Sequence, residues 1–183
     1  CALALHHDYA PNLADIAKID ILTDPKRLPH TDNPHPISGL GAKFSIQYVV
    51  ARALIDGAVR LGDFEGAAYD DRDARDLMAK ISACVHPDMD DPDMDTYAAE
   101  VKIILNDGRE LSHRSGDDVL RGPNRPMEKV ALFAKFADCT QRQLPAEATR
   151  PLYEMLLQLE TLPRLCSVTD FLAAIEPSCT KAA

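Results

Sequence analysis

Apolar positions along this chain follow two periods, and the change from one to the other marks its elements. Residues 1–8 read as the last turns of a helix, broken by Pro11 and Asn12. Ile16, Ile19, Ile21 and Leu22 then make a short strand-like run, with Asp20 facing the other way. From Lys43 to Asp56 the apolar residues Phe44, Ile46, Val49, Val50, Ala53, Leu54 and Ile55 cover nearly the whole helical circumference. A helix apolar on most faces is a buried one, and Gly57 is placed to end it in the left-handed conformation. Asp70 to Lys80 predicts a polar surface helix, acidic early and basic late, as the macrodipole favours. Ile81, Ala83 and Val85 alternate as a strand. Tyr97 to Leu105 is a second, Asn106-Asp107-Gly108 a turn, and Arg109 to Ser115 a third, which predicts a hairpin. Residues 127–139 and 146–160 are amphipathic helices, and Leu165 to Ile175 is a last short one, stopped by Pro177. Strands and helices are segregated, so the expected class is α+β: a small antiparallel sheet packed with helices.

Residues 23–42 read as a long loop holding Pro25, Pro29, Pro34 and Pro36. A loop of that length without structure of its own is often functional.

Composition narrows the classes. With 183 residues, 46% hydrophobic and 27% charged, the chain suits one domain with a real core, residues 1–183. Twenty Lys+Arg against 29 Asp+Glu give 20 − 29 = −9, which argues against nucleic acid or an anionic membrane as partner. The longest apolar run, Phe44 to Val59, is interrupted by Arg52 and Asp56, so no membrane span is expected. Five cysteines, Cys1, Cys84, Cys139, Cys166 and Cys179, are odd in number and never spaced as C-x-x-C. That speaks against a disulfide framework, a zinc site or an iron–sulfur cluster, and for a reducing, cytoplasmic setting. Cys139 and Cys166 read as core residues. The chain opens on Cys1 inside an apolar stretch with no leader, which reads as a cut end with more polypeptide upstream.

Five constellations could carry chemistry. The first runs from His30-Thr31-Asp32-Asn33-Pro34-His35-Pro36 to Gly39-Leu40-Gly41-Ala42-Lys43-Phe44-Ser45. It carries two imidazoles and an amide toward a helix expected to begin at Lys43. Helix N-termini attract anions, and a cation set against the dipole there makes sense if an anion binds beside it. His30 or His35 can exchange protons near neutral pH. The plainer reading, favoured by composition, is two exposed loop histidines and a surface lysine. The second is the acidic run Asp88 to Asp95, which lacks the glycine and glutamate of a calcium loop and reads as a solvated loop. The third is His6-His7-Asp8, whose neighbours on a helix diverge and so do not chelate together. The fourth is Cys84 with His86, placed on one face by strand alternation and read as packing. The fifth is Arg121-Gly122-Pro123-Asn124-Arg125-Pro126, able to hold a carboxylate or phosphate but more simply a connector.

From Gly39 to Gly57, through Lys43-Phe44-Ser45-Ile46-Gln47-Tyr48 and Leu54-Ile55-Asp56-Gly57, the sequence resembles the MmgE/PrpD family. That group includes 2-methylcitrate dehydratase, cis-aconitate decarboxylase and iminodisuccinate epimerase. Asp15-Ile16-Ala17-Lys18-Ile19, the Val101–Glu110 hairpin and the Arg121–Phe136 segment resemble it too. The resemblance implies the α+β C-terminal lid domain of a two-domain enzyme, with the all-helical N-terminal domain missing. The site would lie in the cleft between the two, and this chain alone would be nearly inactive. It implies His30 as the catalytic position, where some members carry tyrosine. Lys43 would be the basic substrate contact, with His35, Asn33 and Ser45 beside it. The expected activity is a cofactor-independent, metal-free lyase, 2-methylcitrate dehydratase-like, acting on a small carboxylic acid in propionate catabolism. A decarboxylase, an epimerase, or a non-catalytic interaction domain are the alternatives. The implied partners are the substrate, the upstream helical domain and a second copy of the chain, with no nucleic acid or membrane.

Overall fold

A computed structural model describes residues 1–89, 98–116 and 126–175. The chain divides into two compact units, Cys1–Gly122 and Pro123–Ala183. The first carries the sheet and the second is helical among its described residues.

In the first unit, helix α1 (Ala2–Tyr9) precedes strand β1 (Ile16–Thr23). Short helices α2 (Leu28–Thr31) and α3 (Gly39–Lys43) follow, then α4 (Ile46–Asp56) and α5 (Arg72–Met78). Strands β2 (Ile81–Val85), β3 (Ala99–Leu105) and β4 (Glu110–Ser115) complete it. The sheet order is β2-β1-β3-β4. β3 and β4 form the expected antiparallel hairpin, with Gly108 at φ 85 in its turn, and β1 is antiparallel to β3. The expectation of an all-antiparallel sheet needs correcting at one edge. β2 lies parallel to β1, pairing Ile19 with Ile81 and Ile21 with Ala83. Residues 24–80 form the crossover that a parallel pair requires, so the class stands as α+β with a mixed sheet.

Strand alternation supplies one half of the core. Ile19, Ile21, Val101 and Ile103 are buried. An irregularity between Ile16 and Lys18 turns Ile16 to the same face, as an extra residue in one strand does. Leu5 of α1, Tyr48, Ala51 and Leu54 of α4, and Leu77 of α5 cover that face. Buried α4 is therefore as the sequence predicted, and Gly57 ends it at φ 62. A β-carbon at Gly57 would lie 2.6 Å from His6 Nε2. His6 Nδ1 donates to Leu54 O at 2.8 Å, so α1 ties down the carbonyl end of α4. α5 is only half a surface helix, since Ala74, Leu77 and Met78 are buried.

Three other expectations change. Residues 23–42 are not structureless, because α2 and α3 lie within them. The long buried helix begins at Ile46 and not Lys43, because Ser45 accepts from Tyr48 N–H at 3.1 Å and caps it there. Cys139 is exposed and Cys166 half-buried, so neither is a core residue.

The second unit contains α6 (Lys129–Thr140), α7 (Ala146–Leu157) and α8 (Cys166–Ala173). Tyr153 of α7 packs against Phe133 and Phe136 of α6, with ring centroids 5.1 and 5.2 Å away. Ala148, Leu152 and Val168 are buried. No described helix is long and apolar enough to cross a membrane.

Candidate functional site

The corner where α3 meets α4 gathers most of the residues singled out by sequence. Ser38 caps α3, its Oγ accepting from Gly41 N–H at 3.0 Å. The helix lies so close to residues 61–64 that a β-carbon on Gly39 would sit 1.9 Å from Phe64 O. Lys43 closes α3, where a cation suits the negative end of the dipole. Lys43 is therefore not set against the dipole of a helix that it begins, contrary to the expectation from sequence. Lys43 is nonetheless exposed, and among the described residues it makes no ion pair. Its Nζ lies 5.9 Å from the centroid of the Phe64 ring. Just beyond it, the first N–H groups of α4 have no intrahelical acceptor.

The segment before the corner is fastened at several points. Ser45 Oγ donates to Asn33 O at 2.6 Å, and Asn33 Nδ2 donates to Gly41 O at 3.2 Å. Gln47 Nε2 donates to Asp32 Oδ1 at 2.6 Å. Arg75 Nη2 donates to Pro36 O at 2.7 Å, and Pro36 is buried. His35 is thus held on both sides while its ring stays exposed. His30 is exposed on α2, whose last turn ends at Asp32 with the Asp32 N–H donating to Leu28 O at 2.8 Å. The hydroxyl proton of buried Ser45 and the side-chain amide of Asn33 are both engaged within the protein. Their geometry makes them builders of the corner, with His30, His35 and Lys43 left facing outward. Sequence reasoning missed Gln47 and Asp32. They lie 15 residues apart, and no local period links an amide in a helix to a carboxylate in a loop.

A supporting layer lies behind the corner. Tyr48, fully buried, turns its hydroxyl toward the carbonyls of Asp63 and Ala68, the latter at 3.0 Å. Burial pushes the Tyr48 phenol above its ordinary range, with Arg52 opposing that shift. Arg52 reaches Asp56 at 2.8 Å and Asp63 and Asp71 at 3.5 Å each. Ile37 (86% exposed), Leu40 and Phe44 give the outer side of the corner an apolar flank.

The other candidates separate from it. His7 pairs with Asp8 at 2.9 Å and is exposed, while His6 serves α4. Cys84 is exposed and His86 buried, because β2 ends at Val85 and alternation does not reach His86. His86 Nε2 lies 3.0 Å from Glu100 Oε2, and its Nδ1 accepts from Asp88 N–H at 3.0 Å. Arg114, 2.8 Å from Asp88, holds that carboxyl below its usual range. Residues 90–95 of the acidic run and Arg121–Arg125 lie outside the described residues. Among the described residues no three His, Cys, Asp or Glu side chains are grouped to hold a metal ion.

Comparison with known proteins places the chain in a family. Residues 1–161 match the MmgE/PrpD C-terminal domain. Mouse cis-aconitate decarboxylase is 29% identical over 140 residues, 76% of this chain and 28% of that protein. The human cis-aconitate decarboxylase is 26% identical over 149 residues, 81% of this chain and 30% of that protein. The chain thus spans less than a third of either relative's length. It belongs to the MmgE/PrpD family, whose members include lyases, and corresponds to that family's C-terminal domain.

Proposed function

We propose that this domain forms one wall of the active site of a cofactor-independent lyase for a small di- or tricarboxylate. The observation that carries the reading is Lys43: an exposed cation without an ionic partner among the described residues, in a chain of net charge −9, beside the N-terminus of α4. Lys43 Nζ would take a substrate carboxylate, a charge that stabilises a developing anion. His30 would move the proton next to that carboxylate, and His35 would take a second acidic group. The opposite wall would come from a helical domain upstream, with Ile37, Leu40 and Phe44 on the side that meets it. A second copy of the chain is the other expected partner.

Two outcomes of that proton chemistry are distinguished by what leaves. Loss of water gives a 2-methylcitrate dehydratase-like enzyme, our first reading. Loss of carbon dioxide is favoured by the two relatives, both named cis-aconitate decarboxylase. Proton NMR in heavy water, with the full polypeptide and a panel of citrate-like acids, separates them. New alkene signals from a hydroxy acid mean dehydration, and a product one carboxylate shorter means decarboxylation. Deuterium entry without a new skeleton means epimerisation. No change across the panel would refute the lyase reading and leave a non-catalytic interaction domain.

A further inference from the structure

Gln47 is 2% exposed, and its Oε1 is buried without a hydrogen-bond partner. Its Nε2 is spent on Asp32, 2.6 Å away. The amide cannot be turned round, since Oε1 would then face a carboxylate oxygen at that distance. For folding alone this is a poor choice. A buried acceptor left unpaired is destabilising, and an apolar side chain of similar size would leave no such orphan. Asp32 itself is exposed and needs no partner, because water would solvate it.

What the pair does achieve is placement. Asp32 ends α2, which carries His30, and it begins the run that leads to His35. Tied to the first turn of α4, it sets both imidazoles relative to the helix end that follows Lys43. Ser45, the cap of α4, holds the main chain at Asn33, and Gln47–Asp32 adds a bond between side chains from this segment to the first turn of the helix.

We propose that Gln47 and Asp32 are positioning residues: a clamp kept at the expense of stability to hold His30 and His35 in register with the N-terminus of α4. The catalytic part of this inference rests on the lyase reading above; the clamp itself does not.

The test compares Gln47→Met and Gln47→Glu with the parent in the full polypeptide. Gln47→Met removes the clamp and the orphan together. Its melting temperature is expected to hold or rise. Amide hydrogen exchange at Asn33 and His35 is expected to quicken, and kcat to fall about ten- to a hundred-fold with a smaller change in KM, as misplaced groups produce. Gln47→Glu sets two carboxylates against each other. Sharing a proton restores the bond, so order at residues 32–35, read by the same amide exchange, should recover as pH falls toward the carboxylate range. A packing role predicts no such recovery. Faster exchange with stability held supports the clamp even if the parent converts no acid, an outcome that would remove only the lyase reading. Unchanged exchange at Asn33 and His35 in Gln47→Met would overturn the proposal. So would a fall in melting temperature that accounts for the whole loss of turnover, or a Gln47→Glu variant indifferent to pH.

Discussion

Tyr48→Phe isolates one proton in the layer that supports the corner. The ring stays, with its edge-on contact to Phe64 at 5.8 Å, so packing is conserved. Only the hydroxyl between the carbonyls of Asp63 and Ala68 is lost. A net hydrogen bond contributes about 0.5–1.5 kcal/mol, and a buried carbonyl left unpaired costs about 1–3. One proton serves two acceptors here, and residues 63 and 68 are only half-buried, so water can reach part of what is exposed. That places the loss at about 1.5–2.5 kcal/mol, a fall in melting temperature of roughly 3–10 °C for a chain of this size. Urea unfolding would give the free energy, and hydrogen exchange would show faster opening at residues 61–70. The pH dependence sharpens the test. Burial raises the phenol in the folded state, so its contribution is intact below the unfolded value of about 10. It is lost as pH rises from there through the folded value, because the unfolded phenol ionises first. Tyr48→Phe should flatten that alkaline decline. A loss under about 0.5 kcal/mol, with an alkaline limb unchanged from the parent, would refute the reasoning.

The remaining predictions probe the corner from other sides. Lys43→Ala in the full polypeptide should weaken citrate binding about tenfold, the worth of one charge-assisted contact, without lowering the melting temperature; calorimetric titration reads it, and unchanged affinity would remove Lys43 from the site. Gly39→Ala would drive a β-carbon to 1.9 Å from Phe64 O, an overpacking cost of about 2–3 kcal/mol by urea unfolding. A neutral result there would mean that α3 does not rest on residues 61–64. Arg52→Met leaves Asp56, Asp63 and Asp71 uncompensated and should cost about 2 kcal/mol, measured the same way. A high-salt buffer should shrink that loss, since part of the network is exposed.

How much of this was legible in the sequence depended on the range of the signal. β1, the hairpin at Asn106–Gly108, buried α4 and its Gly57 terminus were readable because each is written in a local period or a turn residue. The parallel placement of β2 was not, since alternation at Ile81, Ala83 and Val85 says which face is apolar and nothing about the neighbouring strand. α2 and α3, four and five residues long, are too short for a helical period to show among prolines. Ser38 and Ser45 were the available signals, each a capping residue before a helix, and reading them would have moved the start of α4 from Lys43 to Ile46. Exposed Cys139 was missed because α6 has no fully buried residue, so apolar neighbours in sequence did not mean a core.

Departures from good folding practice recur along the chain, and the group between residues 37 and 47 bears on where function lies. Elsewhere His113 Nδ1 on β4 and Thr149 Oγ1 and Tyr153 Oη on α7 are also buried without a partner, and Leu3, Tyr9 and Val130 are exposed. Between residues 37 and 47 propensity, pattern and burial conflict repeatedly. Ile37 is 86% exposed, Gly39 is pressed against a carbonyl, Lys43 lacks an ionic partner among the described residues of an acidic chain, and Gln47 buries an unpaired oxygen. None of these is required by the core, which Tyr48, Ala51 and Leu54 fill from the same helix. What distinguishes residues 37–47 is that several departures of different kinds meet in one short stretch, as a second constraint on that stretch would produce. A ligand or partner arriving at the corner would explain the exposed side chains, and a need for fixed geometry the buried amide. Substitutions at Ile37, Lys43 and Gln47 should therefore separate stability from activity, whereas those at Ile19, Leu54 or Ile103 should change both together.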